Sequence, residues 1–270
     1  MLARTIPCPR WLFFLVALLC MALPCPAQKK QIHVAAASDL QTVMPQIAKA
    51  FEARTHVAAE LTFGSSGNLF SQIQNGAPFD VFFSADDEFP ARLIQANLAE
   101  PRSSLVFAVG SLVLWIPANT ECHPQIEKWG CLLKPAVAKI AIANPAHAPY
   151  GRAAVSALQS AHMYDQVRAK LVLGENVSQA AQFVQSGNAQ AGLLAFSQVH
   201  APAMSDGEQW EIPRDNYPPI QQTVVVLKSA REKSAAYDFL KFVSEGPGHA
   251  LLDRFGFQPP PPVRSGGSHK

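Results

Sequence analysis

Short apolar runs alternate along most of the chain with longer stretches in which apolar residues recur three and four positions apart. Ile32 to Ala37, Asp80 to Ala85, Leu112 to Ile116, Ile140 to Ala143, Ala191 to Phe196 and Thr223 to Leu227 are short runs bounded by turn-forming residues. They are too brief for stable helices and too evenly apolar for strands with one wet face, so they predict buried strands. Between the first two, Leu40, Val43, Met44, Ile47 and Phe51 repeat at helical spacing. Pro45 lacks an N–H and crowds the carbonyl of Gln41, which predicts either a kink or a separate leading turn over 39–44. Leu61-Thr62-Phe63 leads into a helix through Leu69, Phe70 and Ile73 that should stop at Asn75-Gly76. Further helices are expected around Val155 and Leu158, around Ala181, Phe183 and Val184, and over Ala235 to Val243 and Gly248 to Arg254. The alternation favours an α/β architecture with mostly parallel strands.

The first residues do not fit this pattern. Arg4 and Arg10 precede an unbroken apolar run from Trp11 to Leu23, and no acidic residue occurs before Asp39. The run is shorter than the roughly 20 residues a membrane-spanning helix needs, and Cys25-Pro26-Ala27 offers small residues for cleavage before Gln28. Residues 1–27 are therefore expected to be a cleaved signal peptide, with the mature protein exported. Cys8, Cys20 and Cys25 fall in that leader, leaving Cys122 and Cys131 to pair as a disulfide in an oxidising compartment. The competing reading, a soft-metal site from Cys122, His123 and Cys131, has only three donors. Net charge is +2, and neither basic clusters interleaved with aromatics nor a G-x-x-x-x-G-K-[ST] motif occurs, so no nucleic-acid partner or nucleotide hydrolysis is expected. Residues 259–270, rich in Pro, Gly and Ser, are expected to form a disordered tail.

The candidate chemistry lies in four turns that each join a strand to a helix. Two are rich in hydroxyls: Ala37-Ser38-Asp39-Leu40 and Phe63-Gly64-Ser65-Ser66-Gly67-Asn68. The others are Asn144-Pro145-Ala146-His147-Ala148-Pro149-Tyr150-Gly151 and Gly174-Glu175-Asn176-Val177-Ser178. The first N–H groups of a helix have no intrahelical acceptor and carry the positive end of its dipole, so such ends facing one cleft form an anion site without Lys or Arg. Ser38 and Ser66 also suit plain N-caps, Tyr150 a packing role and His147 a solvated or capping role. Asp39 reads as a first-turn acid favoured by the dipole; a carboxylate turned into the cleft would instead repel a bare dianion and favour a protonated one. A secreted serine hydrolase finds little support, because Gly64-Ser65-Ser66-Gly67-Asn68 fails the G-x-S-x-G elbow. The chain is expected not to be an enzyme.

In order and combined, several segments carry a family resemblance from Ile32 to Phe257. They are Ala35-Ala36-Ala37-Ser38-Asp39-Leu40, Gly64-Ser65-Ser66-Gly67, the stretch from Asn75 to Asp86, Leu112-Val113-Leu114-Trp115, Asn144-Pro145 with Ala148-Pro149-Tyr150-Gly151, Glu175-Asn176-Val177, and Phe255-Gly256-Phe257. The sequence resembles the periplasmic molybdate-binding proteins of bacterial ABC transporters. That resemblance implies a two-lobed periplasmic binding protein fold, each lobe a mostly parallel sheet flanked by helices, with crossings near Ala108 to Gly110 and Pro219 to Gln222. Lobe 1 is then 28–108 plus 223–258, and lobe 2 is 109–222. It further implies a periplasmic monomer that holds molybdate or tungstate between the lobes through Ser38, Ser66, Tyr150 and Val177, and delivers it to a permease and its ATPase. Metal is met only as this oxyanion, and no cofactor is expected. Tyr150 stands in for a tyrosine that some members carry in the strand read here as Ala191 to Phe196, where this chain has Ala195. The same module for sulfate, thiosulfate or phosphate is the alternative.

Overall fold

The strand β1 (Gln31–Ala37) is buried from Val34 onward, because it lies between β2 (Ala58–Gly64) and β3 (Val81–Ser84) and is covered on both faces. All three run parallel, and β10 (Ile220–Val226) pairs antiparallel with β3 on one side and with β4 (Leu105–Gly110) on the other, in the order β2-β1-β3-β10-β4. A second sheet repeats this plan. There β7 (Leu171–Gly174), β6 (Ile140–Ala143) and β8 (Ala191–Ala195) are parallel, and β5 (Leu112–Pro117) pairs antiparallel with β8 on one side and with β9 (Gly207–Glu211) on the other, in the order β7-β6-β8-β5-β9. The chain is thus an α/β protein with two lobes. The structure, a computed structural model, describes residues 30–260; the expected signal peptide and residues 261–270 of the expected tail lie outside them.

The chain changes sheets twice. β4 ends at Gly110 and β5 begins at Leu112, so a single residue, the buried Ser111, separates the two lobes at the first passage. The return falls between Glu211 and Ile220. Ile220 to Gln222, placed in lobe 2 from sequence, already pair with β4 in the first sheet. Tyr217 anchors the returning segment by accepting at its hydroxyl from the Leu112 N–H, 3.0 Å away.

The C-terminal helices Lys233–Glu245 and Pro247–Arg254 pack on the first lobe. Phe239 meets Phe51 and Phe83 edge-to-face with ring centroids 5.0 and 5.8 Å apart, and Phe83 meets Phe107 at 5.3 Å. Each such ring pair contributes about 0.5–1.5 kcal/mol beyond the area it removes from water, which fastens the last helices to the first half of the chain. Beyond them, Gln258 exchanges hydrogen bonds with Val109, which secures the start of the proline-rich segment at the interlobe passage.

Three local outcomes bear on the site. Of the two alternatives for Pro45, the separate turn is found: Ser38–Leu40 is one 3-10 turn, and the helix Met44–Thr55 starts afresh with Pro45 in its first turn. There the missing N–H has no helical acceptor to lose. The helix Ser66–Gln74 ends where expected, with Gly76 at φ +85°. Cys122 and Cys131 form a disulfide with Cα atoms 5.6 Å apart, away from the cleft. Among the described residues no helix is long and apolar enough to cross a membrane.

Candidate oxyanion site

Ser38, Ser66, Tyr150 and Val177 come together around one small pocket between the lobes, with Asp39, Ser65, Ala85 and Asn176 beside them. The pocket is small, and no Lys or Arg lines it. A cavity of that size has room for one small compact species, which excludes sugars, amino acids and peptides as occupants of this closed form.

The donors are set by local chain geometry. Ser65, not Ser66, caps the helix Ser66–Gln74: its hydroxyl accepts from the Asn68 N–H at 3.3 Å. Ser66 is thereby released from capping, and its Oγ accepts instead from the Ala85 N–H at 3.0 Å. An oxygen that accepts from one side keeps its own O–H for another partner, and Ser66 lines the pocket. In the same first turn the Gly67 N–H is taken by the His147 carbonyl at 2.9 Å, which leaves the Ser66 N–H unpaired. Across the cleft, Asn176 caps the helix Val177–Gln185 by accepting from the Gln179 N–H at 3.0 Å, so the Val177 N–H is again unpaired at a helix start. Both helices have nine residues, and each presents its positive end to the pocket.

The Ser38 turn works differently from the sequence reading, because only a single 3-10 turn follows it and no long helix contributes a dipole there. Orientation is imposed from the second lobe. The Ser38 carbonyl accepts from Ser178 Oγ at 2.9 Å and Gln198 Nε2 at 2.7 Å, and the Asp39 carbonyl accepts from Ser197 Oγ at 2.7 Å. Two carbonyl dipoles that would repel an anion are thus tied to donors, and the Ser38 hydroxyl takes no part in these bonds.

Asp39 is not a solvated first-turn acid. It is 1% exposed, and its Oδ2 accepts from Gln222 Nε2 at 2.8 Å while Oδ1 has no hydrogen-bond partner. Removal from water, opposed by the surrounding hydrogen bonds, pushes its carboxyl up to about 7. The Tyr150 hydroxyl faces it from the second lobe, and burial, together with the Asp39 charge, holds that phenol well above its ordinary value. The ring fits only because residue 110 is glycine: a Cβ there would stand 2.2 Å from the Tyr150 hydroxyl oxygen. Tyr150 is therefore neutral, and the choice between packing and ligation becomes a question of where its hydroxyl hydrogen goes.

A rim of interlobe contacts closes the mouth. His147 Nδ1 lies 2.9 Å from Ser65 Oγ, its Nε2 lies 3.5 Å from Glu175 Oε2, and Asn68 donates to the same carboxylate at 3.3 Å. On another side Arg152 pairs with Asp86 across the lobes. Sequence reasoning gave His147 no role here. The spacing of Ser65 and His147, 82 positions apart, holds no signal of their meeting. Gln222 was also missed, because the strand was read from Thr223 onward and Gln222 fell in the expected crossing.

Comparison with known proteins bears on the fold and the family. Residues 32–258 match the family model described as bacterial extracellular solute-binding protein. The molybdate-binding protein of Rhodobacter capsulatus is 36% identical over 239 residues, covering 88% of this chain and 92% of that one. Its counterpart in Azotobacter vinelandii is 37% identical over 245 residues, covering 90% and 95%. The solved periplasmic molybdate-binding protein of Azotobacter vinelandii superposes with a TM-score of 0.78 at 33% identity, covering 85% of this chain and all of that one. The chain belongs to the bacterial extracellular solute-binding proteins, in the periplasmic molybdate-binding family of ABC transporters.

Proposed function

We propose that this protein captures molybdate, or the nearly isosteric tungstate, between its lobes and delivers it to a membrane permease and its ATPase. The observation that carries the reading is the convergence of unpaired helix-start N–H groups and serine hydroxyls on a pocket sized for one small species, with no cation in its lining. A fully ionised oxyanion accepts hydrogen bonds and donates none. Neutral donors can surround it, each charge-assisted bond contributing about 1.5–3 kcal/mol, while the helix dipoles spread the compensating charge.

In this reading Ser66 donates through N–H and hydroxyl, Ser38 through its hydroxyl, Val177 through its N–H and Tyr150 through its phenol. All of them meet oxygens of the anion, so no protein atom ligates the metal, and no resident cofactor takes part. The protein acts as a periplasmic monomer after cleavage of residues 1–27, and as a binder and not an enzyme. The Ser65–His147–Glu175 contacts fasten the lobes in this account, since Ser65 Oγ is already committed to capping.

Calorimetric titration with molybdate, tungstate, sulfate and phosphate tests the reading. Tight binding of the first two and weak binding of the others is expected. Equal affinity for sulfate would overturn the assignment to the larger anions, and no binding of any of the four would overturn the oxyanion site.

A further inference from the structure

The donors around the pocket all suit a dianion; Asp39 does not. Asp39 lines the same pocket, is 1% exposed, and has one carboxylate oxygen bonded to Gln222 and the other buried without a partner. The groups packed around it are neutral: the Tyr150 hydroxyl on the second lobe, Tyr217 behind Tyr150, Gln222 on β10, and the backbone of its own turn. The charged groups of the cleft, His147, Glu175, Asp86 and Arg152, sit at the rim and pair with one another or with hydroxyls. Placed beside a bound dianion in a dry pocket, an ionised Asp39 would put like charges together in a low dielectric with no cation to offset them.

We infer that Asp39 takes up a proton as the oxyanion enters, so that anion capture is coupled to uptake of one proton and Asp39 serves the bound state as a neutral group whose unpartnered oxygen becomes an additional donor in the cleft. This inference rests on the oxyanion reading above. It is consistent with burial having already brought the carboxyl up to about 7 in the empty closed form, from which a neighbouring dianion pushes it further in the same direction. The sign follows. Below that value the acid is already protonated and binding costs nothing extra; above it each bound anion must draw a proton from solution, and affinity falls as pH rises. Molybdate itself stays dianionic from pH 6 to 8. With a free-state value of about 7, the dissociation constant should therefore rise about tenfold across that range.

The test is calorimetric titration of the mature protein with sodium molybdate at pH 6, 7 and 8, each in two buffers of different ionisation enthalpy, which counts protons directly. Wild type is expected to take up close to one proton per anion at pH 8, much less at pH 6, with the tenfold weakening between them. Asp39→Asn keeps the shape and supplies a permanent neutral donor, so its proton uptake and pH slope should vanish. His147→Gln should retain both. Heats that do not depend on buffer at pH 8 would overturn the inference while leaving the oxyanion site intact, and absence of molybdate binding at every pH would overturn the site itself. If Asp39→Asn fails to fold, the His147→Gln titration still decides: loss of uptake there would move the proton to the rim histidine and refute the assignment to Asp39.

Discussion

Ser66 and Ser38 carry the same side chain to the same pocket in different protein contexts, so truncating each separates ligation from support. In Ser66 the hydroxyl oxygen accepts from the Ala85 N–H at 3.0 Å, and both residues are buried. Ser66→Ala strands that N–H, at a cost of about 1–3 kcal/mol to the folded protein even without ligand. For a chain of this size, that is a fall of about 2–10 °C in melting temperature. It also deletes an O–H aimed at the anion, which costs about 1.5–3 kcal/mol of binding, or about tenfold to more than a hundredfold. Ser38→Ala should weaken binding by a similar factor and leave the ligand-free melting temperature within about 1 °C, because the Ser38 anchoring bonds run through its carbonyl and survive the change. Thermal unfolding of ligand-free protein and molybdate titration of both variants give the two axes. A Ser66→Ala protein that melts lower yet binds as wild type would refute the claim that the Ser66 proton points into the pocket, and an equal melting loss for Ser38→Ala would refute the distinction between the two serines.

Tyr150→Phe removes the phenolic O–H but keeps the ring, so a loss of about tenfold in molybdate affinity is expected, and wild-type affinity would assign Tyr150 to packing alone. Gly110→Ala places a methyl 2.2 Å from the Tyr150 hydroxyl oxygen and should displace the ring, weakening molybdate binding at least as much as Tyr150→Phe; unchanged titration would show that Tyr150 can move without consequence. Reducing the Cys122–Cys131 bond, whose partners are nine positions apart, should lower stability by about 2–3 kcal/mol with little change in affinity, as read by thermal unfolding and titration with and without reductant. Because burial raises the Asp39 carboxyl from 3.8 to about 7, its stabilising contribution is fully present below pH 4 and is lost as pH rises toward 7. The ligand-free wild type should therefore lose up to a few kcal/mol relative to Asp39→Asn between pH 4 and 8, and parallel stability profiles would show that the carboxylate is hydrated in the free protein.

The inner parallel strands of both lobes were legible because buried strands leave uninterrupted apolar runs, and Ile140 to Ala143 is found with its expected bounds. Leu171 to Gly174, a partly exposed edge strand, was not named as a strand, and two more escaped notice for opposite reasons. Leu105 to Gly110 and Leu112 to Pro117 form one nearly continuous apolar stretch, and hydrophobicity says nothing about the chain leaving one sheet and entering another at Ser111. Gly207 to Glu211 is a polar edge strand paired only with β5, with too little burial to impose a pattern. The site divides along the same line. Turn chemistry pointed to the strand-to-helix junctions, which local sequence encodes, and the family resemblance chose Ser38, Ser66, Tyr150 and Val177 within them; all four line one pocket. The environment of Asp39 depends on Gln222 and Tyr150, distant in sequence and brought together by the crossing, and no local rule could distinguish a buried carboxylate there from an ordinary helix-start acid.

The closed form holds two opposing sets of interactions. On one side are the interlobe bonds: Ser178 and Gln198 to Ser38, Ser197 to Asp39, Thr42 to Ser197, and the rim contacts of His147 and Arg152. A typical neutral hydrogen bond of this sort has a net worth of about 0.5–1.5 kcal/mol, since opening hands each group back to water. On the other side, closure without an anion leaves the Ser66 and Val177 N–H groups facing a pocket with no acceptor and buries an Asp39 oxygen with no donor. Each of these costs about 1–3 kcal/mol, more where charge is involved. The two sums are of the same size, so neither lobe position is locked and a small ligand can decide between them. An oxyanion converts the unpaired N–H groups from penalties into charge-assisted bonds in the closed form only, which is the differential affinity that shifting such an equilibrium requires. A proton on Asp39 removes the remaining penalty at the same step. Capture, closure and neutralisation of the buried acid beside the pocket are in this sense a single event, and the fit of the pocket to a small anion follows as much from what closure leaves unsatisfied as from the contacts the anion makes.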